Sequence, residues 1–205
     1  MMIRRHSCNP LVLTALAAVL FAAGPRPARA HLDVSAPTDA QVQALGAWYE
    51  QHVPARFRAR EAVDVSALTD REMTAYLRGG DDADAAASRA DDGDGDIDGV
   101  FEDGPPRITL RLPASGEPDM FTFAHEYGHY VWFALLNKGD RRRYEVIYNK
   151  QRAGHHLVTR YAETELEEGF AEAFSFFVNQ PPLLAHRDPL SYQFLAQWGV
   201  DAHSK

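Results

Sequence analysis

The chain has 205 residues, 45% of them hydrophobic, a formal net charge of −8 at pH 7 and one cysteine. That apolar content supports a packed core, and a single cysteine excludes a disulfide framework. The acidic balance argues against nucleic acid or an anionic membrane as partner, since both call for a basic surface.

The amino terminus reads as an export signal. Met1 to His6 is basic, Leu11 to Ala23 is a short apolar run, and Ala28-Arg29-Ala30 is a small-residue cleavage site before His31. The run is too short to span a bilayer, and Cys8 lies ahead of it, which does not support a lipid anchor. Cleavage at Ala30-His31 predicts a secreted or periplasmic bacterial protein with no membrane anchor. It would remove four arginines and the cysteine, leaving 17 of the 21 basic residues against 29 acidic ones, a net charge of −12. Residues 31–205 then suit a single domain.

Thr38 to Gln51 predicts a helix with Thr38 and Gln41 as a capping box and Val42, Leu45, Trp48 and Tyr49 on one face. Asp70 to Arg78 predicts a second, with Met73, Tyr76 and Leu77 inward and Gly79-Gly80 ending it. Asp81 to Asp98 then holds eight aspartates and one arginine. Two readings stay open there. Asp94, Asp96 and Asp98 resemble the start of an EF-hand calcium loop, but Pro105 stands where the closing glutamate belongs. The alternative is a solvated acidic loop or insert.

After Pro105-Pro106, the alternation of Arg107, Ile108, Thr109, Leu110, Arg111 and Leu112 predicts a strand. A long helix is expected from Asp119, its N-cap, to Asn137, with Gly139 past its end. Phe123, Tyr127, Val131 and Leu135 recur at core spacing, and Gly128 leaves room for a neighbouring element. Within this helix stands His125-Glu126-Tyr127-Gly128-His129. Histidines at i and i+4 share a helix face, so both rings can reach one metal ion while Glu126 meets a water beside it.

Asp140 to Arg152 predicts a further helix closed by Gly154, with Tyr144, Ile147 and Tyr148 on one face. His155 and His156 follow it, either on a surface loop or lining a cleft. Tyr161 to Val178 reads as one amphipathic helix, stopped by Pro181-Pro182. Glu165, Glu168 and Glu172 share one face of it, and Phe170, Phe174, Phe177 and Val178 make its apolar side. Asp188-Pro189 starts a last helix, with Leu190, Phe194, Leu195 and Trp198 inward and Gly199 as its stop. A small sheet followed by a helical lobe gives an α+β class. Glu168 would be a third metal ligand, and three protein ligands with one open position make a catalytic site.

These residues resemble a known group, the glutamate-ligand zinc peptidases (gluzincins), and within it the anthrax lethal factor catalytic domain and the secreted bacterial Pro-Pro endopeptidases. The resemblance rests on His125, Glu126 and His129, then Tyr161 seven residues before Glu168, and the sequence Glu168 to Phe174. The 39 residues from His129 to Glu168 are close to the short connection of the Pro-Pro endopeptidases. The resemblance implies a zincin-like fold and one zinc per chain on His125, His129 and Glu168. It implies Glu126 as general base, Tyr161 as a hydroxyl donor, and Glu172 as the carboxylate that holds a ligating histidine by its other ring nitrogen. It also implies that an edge strand, for which Arg107 to Leu112 is the candidate, pairs with an extended protein or peptide substrate.

The activity expected is hydrolysis of peptide bonds by zinc-activated water, with Pro-Pro bonds as the substrate suggested by spacing. Two other readings stand beside it: a catalytically silent zinc-binding protein, and an acidic calcium-linked interaction module.

Overall fold

A computed structural model describes residues 32–79 and 97–198. The expected signal sequence and cleavage site, Asp94, Asp96 and most of the acidic segment, and Gly199 lie outside the described residues. The class is α+β, a four-stranded sheet with helices packed against it.

The sheet is built from β1 (Leu32–Ser35), β2 (Val63–Leu68), β3 (Gly99–Asp103) and β4 (Pro106–Arg111), in the order β1-β2-β4-β3. The first three of that order run parallel, and β3 returns antiparallel to β4. Val63, Val65 and Ala67 of β2 and Ile108 and Leu110 of β4 are buried on one face. Thr109 is also buried, on the other face, where Tyr76 of α2 (Asp70–Gly79) donates to Glu102 at 2.9 Å.

The strand position corrects one expectation. The run Arg107, Ile108, Thr109, Leu110, Arg111 and Leu112 is not an edge: β4 lies between β2 and β3, so its backbone groups are taken by neighbours on both sides. Among the described residues, the sheet edge beside the helical lobe is β3, which pairs with β4 alone. Alternation along a strand reports which side chains are buried and carries no information about which strands flank it.

Helix α1 (Asp39–His52) starts at Thr38 with the expected capping box. Helix α3 (Met120–Tyr130) is capped by Asp119, which accepts from the Phe121 N–H at 2.9 Å. It does not run unbroken to Asn137. A π turn at Val131–Leu135 widens it, and the chain turns extended at Leu136. Asn137 is instead the N-cap of α4 (Lys138–Ala153), accepting from Gly139 and Asp140 at 2.7 and 3.0 Å while Asp140 reaches back. The Asn-x-x-Asp capping box starts a helix where a glycine signal had suggested an end.

The expected helix from Tyr161 is also broken. Tyr161–Glu163 forms a 3₁₀ turn, Glu165 is extended at φ −140° and ψ 164°, and α5 runs only from Leu166 to Asn179. The Thr164 hydroxyl donates to the Tyr161 carbonyl at 2.7 Å, the local competition with a helical ladder that threonine favours. Glu165 therefore leaves the face it was expected to share with Glu168 and Glu172. Pro181 and Pro182 end α5 as expected, yet they also open α6 (Pro181–Arg187), since proline fits a first turn. Helix α7 (Pro189–Gln197) follows, capped by Asp188.

What fixes α3 in place is burial. Phe123, Tyr127 and Val131 are fully buried and Leu135 nearly so; at about 2 kcal/mol each this outweighs the weak helix propensity of a segment with glycine and two histidines. Helix α3 packs most extensively against α5. At their crossing, a Cβ on Gly128 would lie 2.8 Å from the Ala171 Cα, so the two backbones are nearly in contact.

Gly128→Ala should therefore destabilise the fold by about 1–3 kcal/mol, because backbone on a buried helix must give way. Gly46→Ala, where nothing lies within 4 Å of the new methyl, should be neutral or stabilise by up to about 1 kcal/mol. Urea unfolding of the two variants measures both signs.

Candidate metal centre

The approach of α3 to α5 brings three side chains to one point. His125 and His129 project from one face of α3, and Glu168 from the first turn of α5. His125 Nε2 lies 3.0 Å from Glu168 Oε2, His129 Nε2 lies 3.2 Å from His125 Nε2, and His129 Nε2 lies 3.4 Å from the same Glu168 oxygen. A tetrahedral ion with bonds of 2.0–2.1 Å sets its donors about 3.3 Å apart, so the triangle has the size that such an ion requires. Two facing ring nitrogens at this distance repel unless a proton or a cation lies between them. His125, His129 and Glu168 thus form a group that can hold a metal ion.

The two rings are oriented differently. His125 Nδ1 is 3.1 Å from Glu172 Oε1, and the Thr159 hydroxyl donates to the other Glu172 oxygen at 2.7 Å. Glu172 thereby directs the Nε2 lone pair of His125 into the site. His129 is buried and stacks on Phe101 of β3, ring centroids 6.4 Å apart and 15° from parallel. Its Nδ1 has no hydrogen-bond partner among the described residues. On the Nδ1 side, packing rather than a hydrogen bond holds this second ring. Neither Thr159 nor Phe101 carries a signal in the sequence, because each acts through a contact with a residue far along the chain.

Charge is arranged to suit a cation. Burial works against the charged form of His125, but hydrogen bonds to Glu168 and Glu172 and the charge of Glu126 outweigh it and raise its pKa to about 10. Burial likewise opposes ionisation of Glu168, and hydrogen bonds from His125 and His129 overcome it, holding the carboxyl well below the ordinary range. Without metal, a proton on His125 takes the place of the cation.

Glu126 is 7% exposed and lies against the start of β3, where its Cγ and Oε1 fill the space over Gly99. Tyr161 is 55% exposed, its ring 5.8 Å from that of His125. His125, His129, Glu168, Glu172, Glu126 and Tyr161 therefore come together in space. Other candidates do not join them. Asp98 pairs with Arg111 at 3.7 Å, and His155 and His156 are exposed on the turn after α4, with His155 3.9 Å from Glu163. No family model matches the chain, and no curated protein matches it.

The linkage between proton and metal is measurable. A raised His125 contributes stability that is fully present below its unfolded value of 6.5 and is lost as pH rises toward about 10. A depressed Glu168 contributes above its unfolded value of 4.5 and is lost in acid. Melting temperatures of the metal-free protein should therefore be highest between these values, and saturating metal should extend the stable range to higher pH. Thermal melts with chelator and with metal, run across pH, test it; an unchanged alkaline limb on adding metal would refute the site.

Proposed function

We propose that this chain is a zinc-dependent metalloendopeptidase of the glutamate-ligand kind, with a zincin-like fold and exported from the cell. The observation that carries the reading is Glu126. A site that only holds a metal has no use for a carboxylate set between two converging histidines, whereas hydrolysis depends on one.

Two imidazoles and one carboxylate at tetrahedral spacing are the donor set of a catalytic zinc site. Zinc held there by His125, His129 and Glu168 would supply Lewis acidity, lowering the pKa of a water toward neutrality and polarising a carbonyl. Glu126 accepts the proton of the attacking water and returns it to the leaving amine. Tyr161, beside His125 and open to solvent, donates its O–H to the developing oxyanion, a contact of a kind worth about 3 kcal/mol of barrier. Glu172 and Thr159 keep His125 turned to the site.

The substrate lies along β3 rather than along the strand the sequence suggests. Arg111 N–H donates to the Asp98 carbonyl at 2.7 Å, so alternation in the antiparallel ladder spends Val100 and Glu102 on β4. The peptide groups of Gly99, Phe101 and Asp103 then face away from β4, where an extended peptide adds as a strand. Pro-Pro bonds are the first substrates to try.

Glu126→Gln keeps shape and removes the base. It should retain zinc and lose at least about a hundredfold in kcat; unchanged turnover on any peptide the parent cleaves rules Glu126 out.

Tyr161→Phe separates a transition-state donor from a packing role. A fall in kcat of about tenfold to a thousandfold with little change in KM is expected. A loss of melting temperature with full turnover would mark the tyrosine as structural.

A further inference from the structure

We propose that Gly99 is the seat of Glu126: the missing side chain on β3 is what lets the carboxylate stand beside the metal ligands, which makes Gly99 a positioning residue for the base. This rests on the reading of Glu126 as general base. A Cβ at Gly99 would lie 2.7 Å from both Glu126 Cγ and Glu126 Oε1, and 2.8 Å from the Thr122 methyl. Cβ atoms essentially never come that close to a non-bonded heavy atom, so a side chain there forces a displacement.

The direction of that displacement follows from what is pinned. Around Gly99 the strand is held on both sides. Asp98 accepts from the Arg111 N–H at 2.7 Å, the Arg111 side chain donates to the Ile97 carbonyl at 3.0 Å, and the next inward residue, Phe101, is buried against His129 and Tyr130. Gly99 itself is in register with Leu110 of the interior strand. The Glu126 backbone belongs to the buried helix α3, but its Cγ and carboxylate can swing together about the Cα–Cβ bond. The carboxylate therefore yields first. A substitution at Gly99 therefore acts on the position of the base.

Gly99→Ala tests this with zinc content, melting temperature and kinetics on one preparation. Zinc should stay at one per chain and the melting temperature within about 3 °C of the parent. Turnover should fall by about a hundredfold with KM little changed, the size of effect that a misplacement of ~1 Å produces. A double-mutant cycle gives the decisive readout. In a Glu126→Gln background the same substitution should cost nothing further, because a residue that acts only through the base has nothing left to act on. Thr122→Ser, which removes the methyl and keeps the hydroxyl bonded to Asp119, should not restore turnover to Gly99→Ala.

Full turnover in Gly99→Ala, an equal loss in both backgrounds, or rescue by Thr122→Ser would each overturn the proposal. If the parent protein cleaves no peptide, the peptidase reading fails, and crystal structures of zinc-loaded parent and Gly99→Ala still decide the inference. Glu126 turned to a new rotamer over an unmoved β3 supports it; a shifted strand with Glu126 in place refutes it.

Discussion

Backbone contact between α3 and α5 at Gly128 and Ala171 sets the spacing on which the rest of the site depends. The two helices run antiparallel. Below the crossing, the Ser175 hydroxyl donates to the Phe121 carbonyl at 2.9 Å, and the Asn179 amide reaches the Met120 carbonyl at 3.5 Å. Around it, Glu172 and Glu168 meet His125 and His129 within 3.0–3.4 Å. A glutamate is short relative to the distance between ordinary packed helices, whose axes lie 8–10 Å apart. A glycine that lets the helices close up allows Glu168 to reach both rings and Glu172 to reach His125 without leaving the helix face.

The apolar surroundings make that arrangement rigid. Tyr127 points from α3 away from the site, donates to the Phe57 carbonyl at 2.9 Å and packs against Tyr49 and Phe174. Tyr144 of α4 donates to the Gly169 carbonyl at 3.0 Å, one residue after Glu168. Both phenols are fully buried and both bonded, so they tie the ligand helices to their neighbours at points next to the ligands. A site held in this way needs little rearrangement to receive an ion, and the cost of ordering its side chains is met in folding.

Burial and charge then act against each other, and their balance defines the chemistry. Taking Glu168 and His125 out of water disfavours the charged form of each, yet together they favour it, because each supplies the opposite charge the other needs. With Glu126 and Glu172 close by, the cluster carries more negative than positive charge. Its three donors can hold a metal ion; which ion suits them depends on the donor types and on the carboxylate left over once the ligands are counted.

Much of the centre was legible in the sequence, because its strongest signals are local. The i, i+4 histidines, the phenylalanine periodicity after Glu168, the Thr38 capping box and the glycine at the helix crossing each express a rule that operates within a turn or two of helix. What tertiary structure alone decided involves partners distant in the chain. That β4 is interior and β3 is the edge depends on β1 and β2, of which β1 is only four residues long. That Tyr161 reaches His125 from a separate turn depends on hydroxyl bonds at Thr159 and Thr164, which break the helix its periodicity suggested. Thr159 behind Glu172, Phe101 against His129 and Gly99 beneath Glu126 have no pattern to find, since a residue's role as support is defined by what packs on it. Periodicity records which face is buried; it cannot record against whom.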